Sequence, residues 1–235
     1  PTIKMDKLAE DAIVESLLNH GLSFTLISEE AGLKRYGSNP DEAYVVADPL
    51  DGSVNASRGL PFVATSLAYS RKSFLKGSEK AVVMDIIHGV TYTVERGCGA
   101  FKDNVPIKPS RRKGLKDSVL GIDVCNHDDV DSLLKISPIL RESRHVRHLG
   151  ANALEICYVA DGTIDAFIEL NGKMRVLDLA AAYLIVSEAG GVLTNPEGED
   201  LDAQLTATER VSLIASGNRE IHEAILEAVK SRKVM

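Results

Sequence analysis

The chain has no tryptophan, and aromatic residues make up only 5% of its 235 residues. A surface of stacked aromatic rings, of the kind that holds nucleobases, is therefore not expected. Cysteine is scarce too. Cys98, Cys125 and Cys157 are odd in number, widely spaced and without CxxC or Cys/His ligand spacing. That excludes a disulfide framework, argues against zinc and points to a reducing cytoplasm. Each reads as a small buried hydrophobe. No apolar run nears the roughly 18–20 residues of a membrane span, and no signal peptide is expected. Positive charge is also short: 27 Lys and Arg stand against 34 Asp and Glu, leaving −7. So acidic a chain is a poor binder of nucleic acid or anionic membranes. What remains is the ordinary globular balance, 44% hydrophobic and 26% charged. Its length suits one large domain or two small ones.

The spacing predicts an amphipathic helix over 5–19, with Leu8, Ala12, Ile13, Leu17 and Leu18 as its apolar face. A strand at 23–28, a polar loop at 34–42 and a short buried strand at 44–48 follow. Further strands are expected at 62–70, 81–87, 90–95 and 101–107, so the first half is mostly β-meander. The basic stretch Pro109–Lys116 (PSRRKGLK) reads as a solvated connector and an internal boundary. Two subdomains are expected, 1–113 with a large antiparallel sheet and 114–235 of α/β type. In the second, strands at 118–123, 146–149, 164–170 and 211–215 alternate with helices at 129–141, 152–160, 178–189 and 218–230. Asn218 is the expected N-cap of the last helix.

Chemistry concentrates in acids at the ends of these elements. Asp48-Pro49-Leu50-Asp51-Gly52-Ser53 follows an apolar run. Two carboxylates and the Leu50 carbonyl are hard oxygen ligands suited to Mg²⁺. Gly52 lets backbone approach a ligand, and the Gly52 and Ser53 amides could hold phosphate oxygens. Glu29-Glu30 ends a strand, Asp178 opens an Ala-rich helix, and Asp6 lies near the start of the chain. Taken singly, these acids read equally as a capped Asp-Gly turn, a solvated pair, an N-cap and a surface acid. The histidines (His20, His88, His127, His145, His148, His222) are scattered and read as core or surface residues.

Taken together, four blocks resemble the inositol monophosphatase and fructose-1,6-bisphosphatase superfamily. They are Pro1–Asp6 (PTIKMD), Ile27–Glu30 (ISEE), Asp48–Ser53 (DPLDGS) and Leu177–Gly191, where Asp-Leu-Ala-Ala precedes Glu-Ala-Gly-Gly. Asn55-Ala56 and Gly59–Phe62 look most like the archaeal dual-activity branch. The resemblance implies a layered α-β-α-β-α sandwich. It also implies a lithium-sensitive phosphatase in which two or three Mg²⁺ ions activate a water molecule. Glu29, Asp48, Leu50 (by its carbonyl), Asp51 and Asp178 match the metal ligands. Glu29, Ser53 and Asp6 match the catalytic set around the water, with Asp6 linked to Ser53. Gly52, Ser53, Gly150, Ala151, Asn152, Asn171 and Asp178 match phosphate and sugar contacts, and Arg147 a contact to a second anionic group. A small phosphate ester, inositol-1-phosphate or fructose-1,6-bisphosphate, is the implied substrate, and a cytoplasmic homodimer the implied setting. The alternatives are a 3′-phosphoadenosine-5′-phosphate phosphatase and a non-catalytic, metal-dependent binder of phosphometabolites. Ser53 stands where Thr is commoner, Leu177 where many members carry Trp, and Asn171 in place of Glu or Arg. The helices that usually precede the first block are not in the sequence, which reads as a fragment or an unusually short member.

Overall fold

The computed structural model describes residues 2–124 and 130–231. Pro1, Cys125, His127 and Asp129 lie outside the described residues. The elements run α1 Thr2–Asn19, β1 Phe24–Ser28, β2 Gly32–Tyr36, β3 Tyr44–Asp51, α2 Ser53–Arg58, β4 Ala64–Ser70, β5 Ser78–Asp85, β6 Thr91–Glu95, β7 Ala100–Lys102 and β8 Val105–Pro106. They continue as β9 Val119–Asp123, α3 Val130–Glu142, β10 His145–Arg147, α4 Asn152–Ala160, β11 Ala166–Arg175, α5 Val176–Ala189, β12 Val192–Thr194, β13 Arg210–Ser216 and α6 Arg219–Lys230.

The strands form an eight-stranded sheet in the order β2-β1-β3-β4-β5-β6-β7-β8 and a five-stranded sheet in the order β10-β9-β11-β13-β12. The larger sheet is antiparallel except between β1 and β3. Pro109–Lys116 lies between the two sheets in the chain. Apolar residues explain the layering. Phe24, Leu26, Val45 and Ala47 meet α1 on one face of the large sheet, while Ile27 and Val46 point to the other. That second face shares one core with α4 and α5, whose helices are nearly all apolar and are buried between the sheets. Beyond the small sheet, Ile136, Ile139, Ile221 and Ile225 of α3 and α6 close the last layer. The result is α-β-α-β-α.

Several local expectations are corrected. Part of the polar loop at 34–42 is strand β2, an edge whose Leu33, Lys34 and Arg35 are exposed, so it carries no apolar alternation. The short α2 and β12 carry too few residues to show a period. The buried face of α1 is Glu10, Val14 and Leu17, with Leu8 61% and Leu18 39% exposed. Glu10, Val14 and Leu17 fall within about 60° of the helix circumference, whereas Leu8 points the other way. Asp178 is not an N-cap. Arg175, in extended conformation, holds that position and Asp178 sits in the first turn of α5. Asn218 does cap α6, accepting from the Ile221 N–H at 3.1 Å.

Candidate metal centre

In a regular strand, residues three apart face opposite sides. Asp48 and Asp51 escape that rule because the β3–β4 register shifts between them. Pro49 sits inside the shift. It has no N–H to donate to a ladder, and its carbonyl accepts from the Thr65 hydroxyl at 2.9 Å instead. The bulge turns both carboxylates toward the small sheet, where Asp178 waits on α5. Asp48 also accepts from the Leu50 N–H at 3.1 Å, which sets the turn.

Asp51 reaches across 101 residues of chain to the start of α4. Its carboxylate accepts from the N–H groups of Asn152 at 2.9 Å, Ala153 at 2.8 Å and Leu154 at 3.4 Å. Ala151, at the N-cap position, has no side chain that could do this. Asp51 is therefore the cap of α4 and ties the two halves together. Close packing at this seam requires Gly52. Its φ is +88°, and a Cβ there would lie 2.9 Å from the Phe62 carbonyl oxygen and 3.0 Å from the Ala151 Cβ. Asn55 adds a second tie, donating to the carbonyls of Phe62 at 2.9 Å and Leu149 at 2.7 Å.

The decisive side chain is Arg175, which the sequence did not single out. Its guanidinium pairs with Glu29 through Nη1 and with Asp48 through Nη2 at 3.3 Å. It also pairs with Asp178, through Nη2 at 2.8 Å and Nε at 3.1 Å. Three acids from β3, α5 and the turn after β1 thus converge on one cation. The turn carrying Glu29 is braced from α1 by buried Glu10, whose carboxylate accepts from the Ser28 hydroxyl and from the Ala31 N–H at 3.3 Å.

Burial first, and then repulsion from Asp178 and Asp51, push Asp48 well above the ordinary carboxylate range, against the field of Arg175. Burial and then Asp178 push Asp51 up to about 7, although the three α4 amides work in the other direction. Acids held this close and this dry call for a cation. Hard carboxylate oxygens suit a divalent one. Among the described residues, however, no three His, Cys, Asp or Glu side chains close directly on a single ion. The acids are spaced around the guanidinium instead. The donor chemistry fits a divalent cation, and the present spacing fits Arg175.

The remaining sequence candidates divide. Asp6 is raised by burial and by Glu30 and Glu29 nearby, but among the described residues no hydrogen bond joins it to Ser53. Ser53 begins α2, with Gly52 before it. Asn152 donates its side-chain amide to Asp123 at 2.9 Å. Asn171 lies in a bulge of β11 and its side-chain oxygen is buried without a partner. Arg147 is exposed on β10 and donates to the neighbouring Val146 carbonyl. A cavity of about 430 Å³ opens beside Asp178, lined by Asp123, Asn152, Gly172, Lys173, Arg175 and Arg210. Its lining holds two carboxylates, Asp123 and Asp178, and three cations, Lys173, Arg175 and Arg210, of which Arg175 is paired with Asp178. A larger cleft of about 760 Å³ near the end of α1 contains none of Glu29, Asp48, Asp51 and Asp178.

The inositol monophosphatase family matches residues 1–233. The chain belongs to the inositol monophosphatase family. Among its relatives is the fructose-1,6-bisphosphatase/inositol-1-monophosphatase of Methanothermobacter thermautotrophicus, 37% identical over 98% of this chain and 84% of the relative. The bifunctional NADP phosphatase/NAD kinase of Methanococcus maripaludis is 36% identical over 96% of this chain, which spans only 42% of that longer protein. Among solved structures, the extragenic suppressor protein SuhB of Bartonella henselae superposes with a TM-score of 0.83 at 30% identity, covering 96% of this chain and 83% of that one. Similarity to archaeal dual-activity family members and the layered fold are as the four sequence blocks implied.

Proposed function

We propose that the chain is a Mg²⁺-dependent phosphomonoester hydrolase acting on inositol-1-phosphate, fructose-1,6-bisphosphate or both. The observation that carries this reading is the convergence of Glu29, Asp48 and Asp178 on one cationic position, with Asp51 beside them. Glu29, Asp48, Asp51, Asp178 and the Leu50 carbonyl would hold the metal. When bound, Mg²⁺ supplies charge neutralisation for the phosphate and lowers the pKa of a water molecule.

The chain's own residues do the rest. Glu29 accepts a proton-bearing contact from the attacking water and the Ser53 hydroxyl orients it, with Asp6 close enough to influence the Glu29 end of the site. Gly52 and Ser53 would offer the phosphate their backbone N–H groups at the β3–α2 turn. The Asp123–Asn152 pair offers an acceptor and a donor to sugar or inositol hydroxyls. Lys173 and Arg210 line the same cavity as Asp178 and would serve a second anionic group. Arg210 also donates to the Lys173 carbonyl at 3.0 Å, which holds the two together.

Sensitivity to Li⁺, homodimerisation and a cytoplasmic setting belong to the same proposal and are supported by family membership. The division into subdomains 1–113 and 114–235 is likewise proposed. It is supported by the two sheets, each built from one half of the chain. NADP as substrate is a second reading, favoured by the M. maripaludis relative's name. The test is phosphate release from the three esters side by side, with Mg²⁺ and with chelator. Release from inositol-1-phosphate or fructose-1,6-bisphosphate only with Mg²⁺ is expected; release from NADP alone would move the reading to the second.

A further inference from the structure

We propose that Arg175 is a built-in competitor of the metal: its guanidinium and a divalent cation claim the same oxygens of Glu29, Asp48 and Asp178, so this one side chain sets the metal affinity of the site. The inference rests on the reading of those acids as metal ligands. It goes beyond that reading, because no metal-ligand motif includes Arg175.

A guanidinium carries several donors in a rigid plane. Here that plane contacts three acids at once, from the turn after β1, from β3 and from α5. The acid oxygens are spread around the guanidinium, and among the described residues no three acids close on a single ion. A metal that drew them together would place two or more positive charges where the guanidinium now lies, and the two cannot share that space. The side chain has somewhere to go. Arg175 already lines the 430 Å³ cavity with Lys173 and Arg210, so a guanidinium released from the acids would be free to turn to an anionic ligand there. Metal entry would then strengthen anion binding through this residue, a coupling in which each ligand favours the other.

Arg175 is 21% exposed at the side chain, so its replacement by a flexible apolar residue of similar length is feasible. Calorimetric titration with Mg²⁺ alone, no substrate present, gives the direct test on wild type, R175M and D48N. R175M should bind Mg²⁺ at least about tenfold more tightly, equivalent to about 1.4 kcal/mol. D48N should bind it more weakly. Unchanged or weaker binding by R175M, with D48N weakened, would overturn the competition and leave the metal site intact. Mg²⁺ binding that is absent in wild type, or untouched in D48N, would overturn the metal-site reading itself. Should R175M not fold, the unmodified protein still decides. One arginine Nε–H resonance, identified by its loss in R175K, should shift in step with Mg²⁺ saturation. A resonance that does not move at saturation would contradict the displacement.

Discussion

At the scale of single residues, the site trades stability for charge placement. Asp48 and Asp51 are buried acids whose protons are held more tightly than usual, and each is tolerated because neighbouring donors compensate: Arg175 for Asp48, the α4 amides for Asp51. Removing the Asp51 charge should cost at least about 3 kcal/mol of transition-state stabilisation, the scale of a lost electrostatic contact at a reacting centre. Steady-state phosphate release by D51N should accordingly fall by two orders of magnitude or more; near-wild-type turnover would remove Asp51 from the mechanism. Gly52 is constrained differently. G52A forces a side chain into left-handed backbone and against the Phe62 carbonyl and the Ala151 methyl. A loss of about 2–4 kcal/mol in denaturant unfolding is expected. A loss under 1 kcal/mol would mean that the seam relaxes around the new methyl group.

At the scale of elements, each functional group sits where a regular element ends or breaks. Pro49 marks the break in β3, and the acids of the Asp48–Ser53 block were legible because a Pro and a Gly punctuate an apolar run. Buried strands such as β1 and helices such as α4 and α6 were legible from their apolar patterns. Strand β2 was not, because an exposed edge has no buried face to impose alternation. Arg175 was hidden for a different reason. A cation three residues before an acid looks like ordinary helix-surface pairing, and its contacts to Glu29 and Asp48 exist only once three distant elements meet. The bulge of β11 was likewise invisible in sequence. Buried Glu169 gathers the N–H groups of Asn171 at 2.8 Å, Gly172 at 3.2 Å and Lys173 at 3.1 Å. This organises the backbone around Lys173 at the cavity edge. In the doubly substituted K173M/R210M protein, KM for fructose-1,6-bisphosphate should rise about tenfold or more, on the scale of 1.4 kcal/mol per tenfold. KM for inositol-1-phosphate should change little. Equal changes for both esters would mean that the pair does not read a second phosphate.

At the scale of the whole molecule, the net charge of −7 and an anionic substrate are compatible because charge is arranged locally. Four acids concentrate at the junction of the two sheets; Arg175 pairs with three of them, and Lys173 and Arg210 line the cavity beside Asp178. Buried acids elsewhere give the fold a pH dependence of its own. Burial pushes Glu155 up to about 7, above its usual 4.5, although Leu149 and Gly150 donate to it. The folded protein therefore keeps a proton that the unfolded chain releases, and stability falls as pH rises from about 4.5 to 7. The contribution lost is about 3 kcal/mol at 1.36 kcal/mol per unit. E155Q carries no such proton, so the difference in unfolding free energy between it and wild type should change by that amount across the window. A constant difference would show that Glu155 titrates normally. His222 acts in the opposite sense. Burial lowers it to about 4, while Thr194 and Ser216 hold its ring at 2.9 and 3.0 Å. Its share of stability is lost as pH falls from 6.5 toward 4. The two windows overlap, so single substitutions separate them where the wild-type profile alone cannot. In the proposed function, the acids gathered from both sheets form a metal centre for phosphate-ester hydrolysis. Initial rates of phosphate release from inositol-1-phosphate and fructose-1,6-bisphosphate, measured across a Mg²⁺ titration from chelated buffer to saturation, test it most directly. Turnover of at least one ester that vanishes under chelation and rises with saturable Mg²⁺ dependence is the predicted result; undiminished turnover in chelator would contradict the claim.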